Sequence, residues 1–322
     1  MMPYARTVGA DDFAYDEITH WGQTPDGWSL EEVAGVAVDS RDRLFVFSRS
    51  PHPITIFDRD GQFLGSWGEG AFNRPHALYM APDDTLFITD DNGHAIYRFT
   101  LEGQELMSII TQPSDTGYNG DMYGLTRSGA PFNTPTAATL APDGSLFVSD
   151  GYGNARVHHF TASGELIHSW GEPGSGPGQF IVPHDVYVDH AGLVYISDRQ
   201  NCRIQIFSAD GSLVNMWEDI YWPCDMCHGP DGNLCIAEVG GVFMGDPDVG
   251  RPSARITVRN MDSDILCEWT EQDPLDTGRF FSPHGIAVDS HGDIYIGEVA
   301  KSYPGGRAPS DWSLLRKYIR KG

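Results

Sequence analysis

The segment Thr134–Phe160, TPTAATLAPDGSLFVSDGYGNARVHHF, reads as three short strands joined by two turns. An apolar run after Pro135 meets a turn at Pro142-Asp143-Gly144, a second alternating run ends at Asp150, and a third closes on Phe160. Period-two alternation bounded by Gly, Pro, Asp and Asn marks a small antiparallel sheet. The unit recurs at Val33–Arg49 (VAGVAVDSRDRLFVFSR), Arg74–Asp91 (RPHALYMAPDDTLFITDD) and Val182–Phe207 (VPHDVYVDHAGLVYISDRQNCRIQIF). Two more copies are Trp222–Gly241 (WPCDMCHGPDGNLCIAEVGG) and Ser282–Ala300 (SPHGIAVDSHGDIYIGEVA). Four copies run on into a further strand with an aromatic finish: LGSWG, LIHSWG, LVNMW and ILCEW.

One four-stranded sheet cannot bury both its faces without a neighbour on each side, so six copies spaced 40 to 60 residues apart predict an all-β, six-bladed β-propeller. Residues 1–322 are expected to form a single propeller domain, with blades starting near 33, 75, 135, 183, 223 and 283. The last unit ends at LLRKYIRKG without a Trp-Gly strand, whereas DEITHWG at 16–22 resembles LIHSWG. An N-terminal strand is therefore expected to complete the last blade and close the ring, removing two exposed sheet edges.

Composition narrows the function. The chain has 322 residues, 40% of them hydrophobic, and no apolar run long enough to span a bilayer. With 45 acidic against 21 basic side chains its formal charge is -24, which repels phosphate backbones and anionic lipid surfaces. Neither nucleic acid nor a membrane is an expected partner. The first residues, MMPYARTVGADDF, lack the features of a signal or transit peptide, and a cytoplasmic location is expected. Five unevenly placed cysteines fit reduced thiols better than a disulfide framework. Cys224, Cys227 and His228 spell the C-x-x-C-H of covalent haem attachment, but alignment with VPHDVYVDHAG places them on the first strand of the fifth unit. They read as strand and packing residues, with Cys235 and Cys267 as small apolar fillers.

The second residue of each first strand is Ala34, His76, Thr136, His184, Cys224 and His284 in turn. First strands of a propeller line its central channel, so this slot faces the axis. Histidines in alternate blades stand about 120° apart at one depth, which suits a tetrahedral Zn²⁺ with an open fourth position. Imidazole also suits other divalent transition metals, and polar plugs in a wet channel are the alternative. Cys224 shares the slot and is a candidate channel contact. A second slot follows the second strand and holds Arg49, Arg199 and Gly151 with Tyr152. The carboxylates before it, Asp90, Asp150 and Asp198, suit turn capping. Two guanidinium groups in so acidic a chain suit a small anionic substrate held through its carboxylate. Their alternative is pairing with neighbouring carboxylates. Long insertions at 111–133, 240–253 and 301–311 would shape the channel mouth.

These motifs, above all FVSDGYGNARVHHF through ISDRQNCRIQIF, resemble the lyase domain of peptidylglycine α-amidating enzyme, a six-bladed propeller of NHL repeats. The likeness extends more loosely from VAGVAVDS to SPHGIAVDSHGDIYIGE, most of the chain. The resemblance implies zinc on His76, His184 and His284, a catalytic role for Tyr152, and active-site roles for Arg49 and Arg199. Two departures stand out. The family's half-cystine after its catalytic tyrosine is replaced by Gly153, and the aspartate that helps hold a structural Ca²⁺, with carbonyls matching Val36 and Leu78, is replaced by Gly285. The calcium is not carried over. No oxygenase domain accompanies the motifs, which points to a substrate smaller than a peptidyl α-hydroxyglycine. The expected activity is a metal-dependent lyase cleaving a carboxylate-bearing α-hydroxy or carbinolamide-type compound to a carbonyl product, with Tyr152 as general base. A zinc hydrolase of a lactone, ester or amide and a non-catalytic NHL binding module are the alternatives.

Overall fold

A computed structural model describes residues 4–240, 254–270, 282–302 and 312–322. The insertions expected at 240–253 and 301–311 fall mostly outside them. The chain divides into two compact units, Gly70–Pro223 and Met1–Glu69 with Cys224–Gly322. In the first unit three antiparallel sheets succeed one another: Pro75–Met80, Thr85–Asp90, Ala95–Thr100 and Glu105–Ile110; Pro135–Leu140, Leu146–Asp150, Arg156–Phe160 and Leu166–Trp170; Pro183–Val188, Val194–Asp198, Arg203–Phe207 and Leu213–Trp217.

The second unit holds Val33–Val38, Leu44–Ser48, Ile54–Phe57 and Phe63–Trp67, and Pro223–His228, Leu234–Glu238, Arg255–Arg259 and Ile265–Thr270. Its third sheet is Pro283–Val288, Ile294–Glu298 and Leu315–Arg320, extended by Tyr15–Ile18 and Tyr4–Val8. These six sheets are the blades of a β-propeller, numbered here from Val33 in chain order. Among the described residues, the helical turns are two 3₁₀ segments of three residues.

Packing on both faces explains the burial. Every residue of the second strands Leu146–Asp150 and Val194–Asp198 is buried, whereas the fourth strands Leu166–Trp170 and Leu213–Trp217 are largely open to solvent. Phe147, Val157, Phe180, Val186, Ile196 and Phe207 fill the space between blades three and four, and Tyr15, Ile256, Trp269, Ile286, Ile296 and Tyr318 do the same between blades five and six.

One turn is repeated in all six blades. Asp42, Asp84, Gly144, Gly192, Gly232 and Gly292 have positive φ, and each donates its N–H to the carbonyl three residues earlier. Glycine or aspartate therefore recurs where the first hairpin needs a left-handed residue.

The N-terminal strand pairs antiparallel with the last strand, Tyr15 opposite Arg320 and Ile18 opposite Lys317. It is shorter than DEITHWG, and the bulged strand Tyr4–Val8 adds a fifth member that the repeat did not foreshadow. A buried ion cluster fastens it. The Arg316 guanidinium, 1% exposed, donates to Glu17 Oε1 and Glu298 Oε1 at 2.8 Å each, and the Tyr318 hydroxyl donates to Glu17 Oε1 at 3.1 Å. Removing the guanidinium leaves two buried carboxylates without the cation between them. Arg316→Ala is thus expected to cost about 3–5 kcal/mol in denaturant unfolding, and an unchanged midpoint would contradict the cluster's role.

Candidate metal and catalytic centre

The two slots are held together by the main chain. The N–H groups of Arg49, Asp91, Tyr152, Arg199 and Val299 donate to the carbonyls of Glu32, Arg74, Thr134, Val182 and Ser282 at 2.9, 3.3, 3.4, 3.1 and 3.2 Å. Each acceptor stands two residues ahead of a first-strand slot, so the exit from the second strand lies beside the residue facing the axis. The carboxylates ending the second strands cap the same lead-in segments. Asp90 accepts from the N–H groups of Asn73 and Arg74, Asp150 from Asn133, Asp198 from Ile181, and Glu298 from Ser282. Burial pushes the Asp198 carboxyl up to about 6, yet it also accepts from Asn201, Arg203 and Gln205. These acids do the structural work expected of caps.

Tyr152 meets its anchor one residue later than Arg199 does, because Gly151 intervenes. A Cβ on Gly151 would lie 2.1 Å from the Pro183 carbonyl oxygen, so only glycine allows this approach. Gly151→Ala is expected to displace Tyr152 and the strand bearing His184, lowering kcat/KM at least about tenfold through misplacement; a steady-state assay beside a melting curve checks it. Gly153 has no more room: a Cβ there would meet Asn133 Oδ1 at 2.4 Å. The half-cystine that the resemblance would place here does not fit, and all five cysteines are free thiols.

In the first unit the side chains converge on the Tyr152 hydroxyl. It lies 3.0 Å from His76 Nε2, 2.9 Å from His184 Nε2 and 3.5 Å from an Arg199 amino nitrogen that donates to it. The His76 and His184 ring centroids are 4.9 Å apart, and both rings meet Tyr152 edge-on. His76 Nδ1 lies 2.6 Å from the Thr136 carbonyl, which can only accept. His76 therefore carries its proton on Nδ1 and turns an Nε2 lone pair toward Tyr152. In the second unit His284 Nδ1 lies 2.7 Å from the Ala34 carbonyl and is fixed in the same way. Thr136 and Ala34 are themselves slot residues of the next blades, so histidine-free slots orient the histidines. His76, His184 and His284 are all buried and offer ring nitrogens within 4.8 Å of one another. Three imidazoles this close could hold a metal.

The remaining expected residues are placed differently. Arg199 is 3% exposed and donates from Nε to Gln200 Oε1 at 3.2 Å. Arg49 belongs to the second unit and donates to Glu32 Oε2 at 2.7 Å and Ser302 Oγ at 2.6 Å, the carboxylate pairing weighed as its alternative role. Burial opposes the Glu32 charge, but hydrogen bonds from Ser302 and the charge of Arg49 hold its carboxyl below the usual range. Cys224 is buried on the first strand of blade five, and Cys235 and Cys267 lie in an apolar cluster against which Cys227 packs. A Cβ on Gly285 would lie 2.9 Å from Gly35 Cα and 3.0 Å from Val36 N, which leaves no space for an acidic side chain there.

Sequence reasoning missed several neighbours. Arg74 places its guanidinium carbon 5.7 Å from the Tyr152 ring centroid, near the 5.4 Å of Arg199. Segment 111–133 is tied to the site: Thr116 Oγ1 donates to the Gly153 carbonyl at 2.6 Å, and the Gln200 side chain donates to the Tyr123 hydroxyl. Buried His158 lies between Ser169 Oγ at 2.8 Å and Asp150 Oδ2 at 3.4 Å. Of these, only the insertion 111–133 was marked in the sequence, as a stretch shaping the channel mouth; the repeat singled out none of the individual residues.

Comparison with known proteins agrees with this architecture. The sequence family described as a 6-bladed beta-propeller matches residues 138–239. Mouse peptidyl-glycine alpha-amidating monooxygenase is 31% identical over 90% of this chain and 31% of its own length. Human NHL repeat-containing protein 3 is 29% identical over 88% of this chain and 80% of its own. The chain is a six-bladed β-propeller related to amidating lyases and NHL-repeat proteins. The Drosophila melanogaster relative, peptidyl-alpha-hydroxyglycine alpha-amidating lyase 1, is 28% identical over 74% of this chain and 45% of its own length. The chain thus spans about a third of the mouse relative. Among the described residues no helix is long and apolar enough to cross a membrane.

Proposed function

We propose that the protein is a metal-dependent lyase that cleaves a small carbinolamide-type α-hydroxy acid into an amide and an α-keto or aldehydic acid. One observation carries the reading: the Tyr152 hydroxyl sits within 3.0 Å of two imidazole nitrogens from alternate blades, with an arginine beside it. The Drosophila relative named an amidating lyase and the proximity of His76, His184 and His284 add support.

The donor set suits zinc or another divalent transition metal, since the lone pairs of His76 and His284 are freed at Nε2 by carbonyl acceptors at Nδ1. A cation bound there would supply Lewis acidity, lowering the pKa of a substrate hydroxyl. As a phenolate beside Arg199, Tyr152 would take the hydroxyl proton and return it to the departing amide nitrogen. As the C–N bond breaks, its electron pair leaves with nitrogen and the C–O bond becomes a carbonyl, so no water is consumed. Arg199, and Arg49 once freed from Glu32, would hold the substrate carboxylate. The small anionic partner and a cytoplasmic setting belong to the same proposal.

N-benzoyl-α-hydroxyglycine in ¹⁸O-water tests it. The lyase yields benzamide and glyoxylate, whereas a hydrolase using the same metal yields benzoate carrying one solvent oxygen. Elemental analysis of the purified protein should find about one transition-metal ion per chain, and unchanged turnover after chelation would refute the metal's role.

A further inference from the structure

We propose that Arg74 is a substrate-binding residue that, together with Arg199, holds an anionic group of the substrate beside Tyr152. This rests on the carbinolamide reading above, but the repeat pattern and the family likeness give Arg74 no role. It stands two residues ahead of His76 in the segment leading into blade two. Two adjacent carboxylates fix it. Asp90 Oδ1 accepts its main-chain N–H at 2.8 Å, and Asp91 Oδ2 accepts from its guanidinium at 2.8 Å. Asp91 occupies in blade two the slot that Arg199 occupies in blade four, and its N–H donates back to the Arg74 carbonyl at 3.3 Å. The Asp91 carboxylate is fully buried, while the Arg74 side chain remains 34% exposed.

An arginine serving only to neutralise a buried carboxylate would need no further neighbours. This one reaches the ring whose hydroxyl touches His76 and His184, and Arg199 reaches the same ring. Asp91 offsets the Arg74 charge, and a substrate anion within reach of both guanidinium groups would gain from each of them in a chain whose formal charge of -24 otherwise disfavours anions. A planar carboxylate matches the fork of either guanidinium, and Asp91 engages one amino group of Arg74 while leaving further N–H donors on the same fork. The acid carbon of an α-hydroxyglycine is bonded to the reacting carbon. Anchoring it here brings the hydroxyl to Tyr152.

The zinc-loaded protein is to be assayed with N-benzoyl-α-hydroxyglycine and its methyl ester, following aldehyde release, and by calorimetric titration with hippurate, which has the acid but no hydroxyl to react. Arg74→Ala is expected to lower the acid-to-ester ratio of kcat/KM about tenfold or more and to weaken hippurate binding by a similar factor, the effect of losing one charged hydrogen-bonding partner. Arg74→Lys should fall between. Because Arg74→Ala leaves Asp91 buried without its cation, the double variant Arg74→Ala/Asp91→Asn removes both and should show the same loss of selectivity while folding. Equal losses for acid and ester, or unchanged hippurate affinity, would overturn the assignment and leave the lyase reading intact. Arg74-dependent hippurate binding without turnover in the wild type would uphold the site and refute the lyase. No hippurate binding by the wild type would overturn the site.

Discussion

Replacing His184 by alanine is expected to remove bound metal and turnover together. One of three imidazoles is lost, and the Tyr152 hydroxyl loses its 2.9 Å partner on the same side. Two neutral nitrogens bind a divalent cation far more weakly than three, and Lewis-acid stabilisation of several kcal/mol corresponds to a fall in kcat/KM on the order of 10³-fold or more. Metal content by elemental analysis and aldehyde release by steady-state assay check both halves. The fold should survive, because His184 sits at a bulge in its strand, whose pairing with Val194–Asp198 is made by its neighbours, Pro183 opposite Asp198 and Asp185 opposite Ser197. A variant that loses activity but keeps its metal would place His184 among the positioning residues instead.

Tyr152→Phe separates proton transfer from metal binding. The substitution deletes one oxygen and keeps the ring, so the contacts of Arg74 and Arg199 with that ring should persist. Loss of a positioned acid–base group lowers kcat by about 10²–10⁴-fold, and since the substrate carboxylate is held elsewhere the fall should appear in kcat with little change in KM. Metal content should match the wild type. Wild-type turnover in Tyr152→Phe would remove tyrosine from the chemistry and leave the histidines as the only catalytic feature of the channel.

What could be read from sequence follows the repeat. The blades were legible because period-two alternation and the Asp or Gly turn recur six times, and the strands begin at Val33, Pro75, Pro135, Pro183, Pro223 and Pro283. His76, His184 and Arg199 stood out because each departs from its siblings at one aligned position, a chemical anomaly against a structural rule, whereas Tyr152 was singled out mainly by the family resemblance. Arg74 was not, since the residue ahead of a slot proline varies from blade to blade and its meaning depends on Asp91, seventeen residues on. The Glu32 contact of Arg49 also joins residues seventeen apart, and alignment cannot tell a guanidinium that is spoken for from one that awaits a ligand. Strand Tyr4–Val8 escaped because it follows none of the six copies. Side-chain partners across a hairpin are decided by rotamer and register, which no repeat encodes.

The pairing of Tyr15–Ile18 with Leu315–Arg320 also sets a timetable for biosynthesis. Glu17 and Arg316 meet across 299 residues, so the sheet they share cannot be completed until synthesis has passed Arg316. Until then Tyr15–Ile18 must wait with the edge that Leu315–Arg320 will cover unpaired, exposed to chaperones and proteases, while sheets closer in sequence can already form behind it. Truncations that remove Leu315–Arg320 should therefore harm Tyr15–Ile18 as well, and shorten the protein's lifetime in the cell.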